Sequence, residues 1–194
     1  GFDAMWTDMS EIVRPTRDGI HGREYISTNV DLGRKLMFLE FAKDGSLAFL
    51  PPPVVEIPLP IIFNILPWSP PRDTINLSLL ESAQSLGTFT IIRQSDLVPE
   101  MEKYLPHTIV HVDKGLEYLH PGLLSKLRMI EIPDSYDIKA ASEWIKDRNP
   151  QLIVIVRMTL NSKTGERAIE LIRQDAEILH LCANEYGMDE SSEP

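Results

Sequence analysis

The sequence predicts an α/β fold of alternating strands and helices, most of a (β/α)8 TIM barrel with about six βα units, preceded by an N-terminal extension. Three observations predict it. Short apolar runs of strand length alternate with amphipathic runs of helix length from Pro51 onward. Proline, glycine, asparagine and aspartate punctuate the joins. Each helix-plus-strand unit takes roughly twenty to thirty residues, the length of a right-handed crossover between parallel strands. A doubly wound open sheet would produce the same local pattern. Neither GxGxxG nor GxxxxGKS/T follows any strand, so the usual nucleotide fingerprints are absent.

The chain divides at three consecutive prolines, Pro51 to Pro53. Residues 1–50 show no βα rhythm and read as an extension; residues 51–194 read as a partial barrel domain. Its first strand lies in Val54–Phe63, VVEIPLPIIF, where prolines suit a strand's start or edge. A helix follows over Thr74–Leu86, with Asp73 or Thr74 as its cap and Gly87 just past its end. Then come a strand at Phe89–Ile92, a helix at Ser95–Tyr104, a strand at Thr108–Val112 and a helical stretch at Lys114–Lys126. Met129–Ile132 is the fourth strand and Ile138–Arg148 its helix. Leu152–Met158 (LIVIVRM) is the clearest strand, a β-branched run that predicts burial on both faces. Thr164–Arg173 is the last helix and Glu177–Leu181 the sixth strand.

With 194 residues the chain is short for a complete eight-fold barrel of ~250. Its 43% apolar content is enough for a core. No apolar run approaches the ~20 residues of a membrane span, and no signal-peptide pattern is read at the start. The lone cysteine, Cys182, excludes an internal disulfide framework and an all-cysteine metal site within the chain, and suits a reducing cytoplasm. A net charge of −10 argues against nucleic acid or an anionic membrane as partner. Solubility is the simplest reading of that acidity.

Met129 to Pro150 runs MIEIPDSYDIKAASEWIKDRNP and continues QLIVIVRMTLN. This block resembles the FMN-binding synthase domain of glutamate synthase. The matching residues are Pro133 at a strand end, Asp137-Ile138 opening a helix, Asn149-Pro150 leaving it, and Val156-Arg157-Met158 closing the next strand. Pro60-Ile61-Ile62-Phe63-Asn64 is similar to that family's first barrel strand, and Leu86-Gly87 to the end of the following helix. ERAIELIRQDAEILHL is similar to the segment that leads to its Gly-Gly-Thr-Gly loop. The resemblance covers about two-thirds of the chain.

The resemblance implies an FMN-dependent oxidoreductase of amino-acid biosynthesis, forming glutamate from 2-oxoglutarate and ammonia. It places Asn64, Ser69, Arg157 and Gly187 on the cofactor side. Several positions depart from the family's pattern. Ile62 and Asn64 replace its Ser and Gly near the flavin, and Ser135-Tyr136 replaces His-His. Arg157 stands where the family has Lys, which keeps the charge but changes its geometry. Gly187 alone represents the glycine-rich loop. The Gln-Gly-Ala-Lys-Pro-Gly flavin segment, the iron–sulfur cysteines and the glutaminase cysteine have no counterpart. Barrels of this kind often build the phosphate site after strands seven and eight, beyond the six units read here. The expected consequences are a fragment of a longer protein, completion by a second copy or a partner subunit, or loss of flavin. The rival reading is a non-catalytic assembly or binding subunit with a degenerate flavin site.

Outside the resemblance, Arg14, Arg17, His21 and Arg23, with Gly19 and Gly22 between them, form a candidate anion or substrate site. Arg–Asp pairing that pins an N-terminal arm is the simpler reading. Arg157 ends a buried strand, where barrel active sites lie, and its alternative role is a salt bridge to a neighbouring loop carboxylate. Asp137 reads as a helix cap rather than an acid or base. His107 and His111 lie about 13 Å apart at strand rise, too far to share a metal ion, and no metal site is read anywhere. His120-Pro121-Gly122 reads as a turn; His180, on the last strand, faces the barrel top or, more simply, packs in the core. Ser69 reads as part of a rigid turn or a ligand contact. Cys182, with no basic neighbour that suggests activation, reads as an inert thiol.

Overall fold

The structure is a computed structural model that describes residues 5–8, 27–34, 38–49, 51–66, 72–184 and 186–189. Arg14, Arg17, His21, Arg23, Trp68 and Ser69 lie outside the described residues. The fold is mixed α/β, with a parallel five-stranded sheet and a separate antiparallel three-stranded one.

The antiparallel sheet consists of β1 (Met5–Asp8), β2 (Ser27–Gly33) and β3 (Val54–Ile57), in that order. Residues 1–50 thus contribute two strands, although their sequence shows no βα rhythm. The first strand expected from the sequence divides in two. Val54–Ile57 pairs with β2, whereas Phe63 bridges Thr90 in parallel. Pro58 and Pro60 explain the break, because neither can donate to a ladder.

Helix α1 (Arg72–Leu86) precedes β4 (Thr90–Arg93) and β5 (Thr108–His111). After them come the short α2 (Pro121–Leu124), β6 (Met129–Pro133), α3 (Ile138–Lys146), β7 (Ile153–Thr159), α4 (Thr164–Arg173) and β8 (Ile178–Cys182). The strand order β4-β5-β6-β7-β8 follows the chain, all neighbours parallel, without the reversal that a doubly wound sheet requires. Two expected helices are reduced. The segment near Ser95–Tyr104 forms 3₁₀ turns at Gln94–Asp96 and Pro99–His107, because Pro99 and Pro106 interrupt an α-helical ladder. Between Lys114 and Lys126, Gly115 at φ 125° and the His120-Pro121 step leave only a 3₁₀ turn and α2.

The two faces of the parallel sheet are built differently. One packs on the helices: Val110, Ile130, Ile132, Val154 and Val156 meet Leu124 of α2, Ile138, Ala141 and Ile145 of α3, and Leu171 of α4. The spacing of Ile138, Ala141 and Ile145 is the apolar stripe of an amphipathic helix. The opposite face packs on the antiparallel sheet. There Val30, Val55 and Ile57 meet Phe89, Ile91, Ile109, Met129, Ile153 and Ile155. Phe89, Ile91, Ile109, Met129 and Ile153 lie within one residue of the N-terminal ends of the parallel strands, so apolar packing fills that part of the face. The same side chains alternate, two residues on, into a different chemistry.

Candidate functional site

Along that second face, register sets Arg93 beside His111, His111 beside Glu131, and Arg157 beside His180. Arg93 and His111 end their strands, and Glu131, Arg157 and His180 each lie two residues before the end. Strand periodicity then carries the row to Cys182, two residues beyond His180 and opposite Thr159. The parallel strands therefore bring two histidines, a carboxylate, two guanidinium groups and a thiol to one side of the sheet.

Glu131 is the centre, with its side chain fully buried in the middle of an apolar strand. An isolated carboxylate there would be costly, and its oxygens are accordingly occupied. His111 donates from Nδ1 to Oε2 at 2.8 Å, and Arg157 donates from Nη1 to the same oxygen at 3.2 Å. His180 donates from Nδ1 to Oε1 at 2.5 Å. Burial pushes the Glu131 pKa up. The hydrogen bonds from His111 and His180, with the Arg157 charge, outweigh that and hold it at about 2.

His180 shows the complementary shift. Burial disfavours its charged form, but hydrogen bonds to Cys182 and Glu131 raise its pKa to about 9. It is therefore an imidazolium at neutral pH. Its Nε2 lies 3.5 Å from the Cys182 sulfur. Arg157 reaches outward as well, donating from Nη1 to Oδ1 of Asn64 at 2.9 Å. Asn64 is exposed, and Oδ1 also accepts from the Ile65 amide at 2.8 Å, which fixes the loop after Phe63. The side chains of Arg157 and His180 are about a quarter exposed, at 23% and 25%, so the cluster meets solvent through its cations. Counting Glu131, Arg157 and His180, one positive charge is in surplus.

Of the residues singled out in the sequence, Asn64 and Arg157 are brought together and Gly187 is not. Gly187 lies in a tight turn at φ 76°, its amide donated to the Asn184 carbonyl at 3.0 Å. Asn184 Oδ1 closes that turn by accepting from the amides of Tyr186 and Met188. Arg157 pairs with a carboxylate on the adjacent strand rather than in a loop. Asp137 caps α3, accepting from the Ala140 amide at 3.1 Å. Asp134 lies near Arg167, which donates to its carbonyl. His120 accepts from the Gly122 amide, and His107 donates to the Thr88 carbonyl at 3.0 Å. Among the described residues, no group of three His, Cys, Asp or Glu side chains is placed to hold a metal ion. No described helix is long and apolar enough to cross a membrane.

Sequence reasoning missed Glu131, and it misread two others. His180 is an ion-paired member of the cluster, and Cys182 has a basic neighbour two positions away. The available signal was a charged residue inside the apolar run Met129–Ile132, since a lone Glu in such a run requires a partner.

No protein-family profile matches the chain, and no solved structure matches it. An archaeal-type glutamate synthase (NADPH) from Thermotoga neapolitana is 25% identical to it over 137 residues. That match covers 66% of this chain and 27% of the relative, so the chain spans about a quarter of the relative's length. Part of the chain is thus distantly similar to a glutamate synthase.

Proposed function

We propose that the chain forms part of the wall of a glutamate-synthase-like (β/α)8 barrel, and that the Glu131-centred cluster faces its ligand at the strands' C-terminal ends. The observation that carries this reading is the buried Glu131 held by His111, Arg157 and His180 on four consecutive parallel strands. C-terminal strand ends are where barrels of this type place their chemistry. The chain-order topology and the distant likeness to a glutamate synthase support the same assignment.

The likeness implies FMN, and the described residues fit one end of that group. Arg157 offers Nε and Nη2, neither of them hydrogen-bonded among the described residues, and the surplus positive charge favours an electron-rich ring edge or a substrate carboxylate. The Gly187 amide, expected on the cofactor side, is bonded to the Asn184 carbonyl rather than offered to a phosphate. Bound FMN would supply the electron-transfer chemistry. Glu131 keeps Arg157 and His180 in place, Asn64 orients the guanidinium, and His180 holds a proton on Nε2. The small-molecule substrate is then an anionic oxo acid, 2-oxoglutarate by resemblance.

Fluorescence titration with FMN tests this reading. Saturable quenching at micromolar FMN is expected, and Arg157→Gln should weaken it by about 10- to 100-fold, the range of one charge-assisted hydrogen bond. Absence of quenching up to about millimolar FMN would overturn it.

A second reading, an assembly subunit, is favoured by the flank beyond α4. Leu181 of β8 lies on the helix-packed face yet is 51% exposed, and Ile169 and Ile172 of α4 are 53% and 60% exposed. A further element, from a second copy or a partner subunit, would cover them.

A further inference from the structure

We infer that Cys182 is a nucleophilic thiol, served by His180 and oriented through Glu131, that exchanges with small disulfides carrying carboxylates. The geometry is a relay in three parts. Cys182 Sγ lies 3.5 Å from His180 Nε2, and the opposite ring nitrogen donates to the fully buried Glu131. A thiol beside an imidazolium that a buried carboxylate holds in place is an arrangement that activates Cys. His111 and Arg157 in turn hold Glu131, so the ring of His180 has one anchored orientation.

Backbone register enforces the proximity. His180 and Cys182 are two residues apart on β8 and share a face. The Cys182 carbonyl accepts from the Leu160 amide at 2.8 Å, which extends the pairing to the strand's end. Cys182 is partly exposed. The thiolate is the reactive form, and a neighbouring imidazolium stabilises it. His180 is such an imidazolium at neutral pH. Arg157, beside His180 on the adjacent strand, offers Nε and Nη2 to a carboxylate of the reagent.

In the exchange, the Cys182 sulfur attacks one sulfur of the reagent. A mixed disulfide forms, the reagent's S–S bond breaks, and the electron pair departs on the leaving thiolate. The thiol proton is released to solvent, and the His180 imidazolium stabilises the thiolate left behind. No other oxidant is required, because the attacked disulfide is reduced as the protein sulfur is oxidised. The inference does not depend on flavin, and its test contains none.

Cys182 is the sole cysteine of the chain, so every released thiolate reports on it. The probe is 5,5′-dithiobis(2-nitrobenzoate), a dianionic aromatic disulfide whose leaving group is coloured. The full chain is compared with itself unfolded in urea at about pH 6, where an ordinary thiol is less than about 1% thiolate. The expected result is a folded rate at least about tenfold above the unfolded rate, falling towards it in His180→Gln. The uncharged 2,2′-dithiodipyridine should show a smaller folded-to-unfolded ratio than the dianionic probe. A folded rate at or below the unfolded rate would overturn the inference. So would a fast rate unchanged in a natively folded His180→Gln. Should that variant fail to fold, the comparison within the wild-type chain decides by itself.

Discussion

At the scale of single residues, Glu131 governs the chemistry of the sheet's polar end. Its side chain is fully buried, and removing its charge leaves Arg157 and His180 facing a neutral group. Glu131→Gln should therefore destabilise the fold by about 3 kcal/mol, measured by urea unfolding, as expected when one partner of a buried ionic cluster is removed. The pH dependence follows from both shifts. Glu131 has a pKa lowered from 4.5 to about 2, so its stabilisation is complete above about 4.5 and lost as pH falls through about 2. His180 is raised from 6.5 to about 9, so its contribution is complete below about 6.5 and lost as pH rises through about 9. Unfolding free energy should be greatest between about pH 4.5 and 6.5 and decline on both sides. In His180→Gln the alkaline decline should shrink. A full decline in that variant would assign it to another group. Arg157 was legible from its place at a strand end. Glu131 was not, because strand periodicity marks which face a residue takes but not which charges meet across strands.

Among the elements, cap chemistry and strand composition were the most readable features. Asp137 was expected to cap α3 and does so through the Ala140 amide. Asp137→Ala should cost about 1 kcal/mol with no change in ligand affinity, because the cap lies outside the cluster. The strands from β4 to β8 fall within one or two residues of their expected bounds, because β-branched runs flanked by turn residues leave little ambiguity. The antiparallel strands were not legible. β2 (STNVDLG) is weakly apolar, and its pairing with β3 depends on a contact distant in sequence. Gly33 makes that pairing possible. At φ 132°, an added Cβ would come within 2.5 Å of the Pro53 carbonyl oxygen. Gly33→Ala should lower the thermal midpoint by several degrees, equivalent to about 1–3 kcal/mol of backbone strain. An unchanged midpoint would mean that β2 and β3 are not packed at that register.

For the molecule as a whole, the sequence made the alternation of strands and helices visible but left two topologies open. The parallel sheet pairs β4 to β8 in chain order, with no reversal among the described strands. An incomplete barrel was expected to need a second copy or a partner, and Ile169, Ile172 and Leu181 are the exposed apolar residues of α4 and β8. If a second copy covers this flank, sedimentation should report a species larger than 22.0 kDa, and Ile169→Asp with Ile172→Asp should return it to a monomer. A wild-type monomer at roughly 100 µM would exclude self-association at any useful affinity.

The most direct measurement is a pH titration of the histidine side-chain nitrogens by NMR, in the wild-type chain and in Glu131→Gln. The account predicts that His180 holds protons on both nitrogens at neutral pH, titrates near 9, and moves towards the ordinary value of 6.5 in the variant. A His180 that is neutral at pH 7.5 in the wild type, or unmoved by Glu131→Gln, would contradict the charged strand-end cluster and the ligand site built on it.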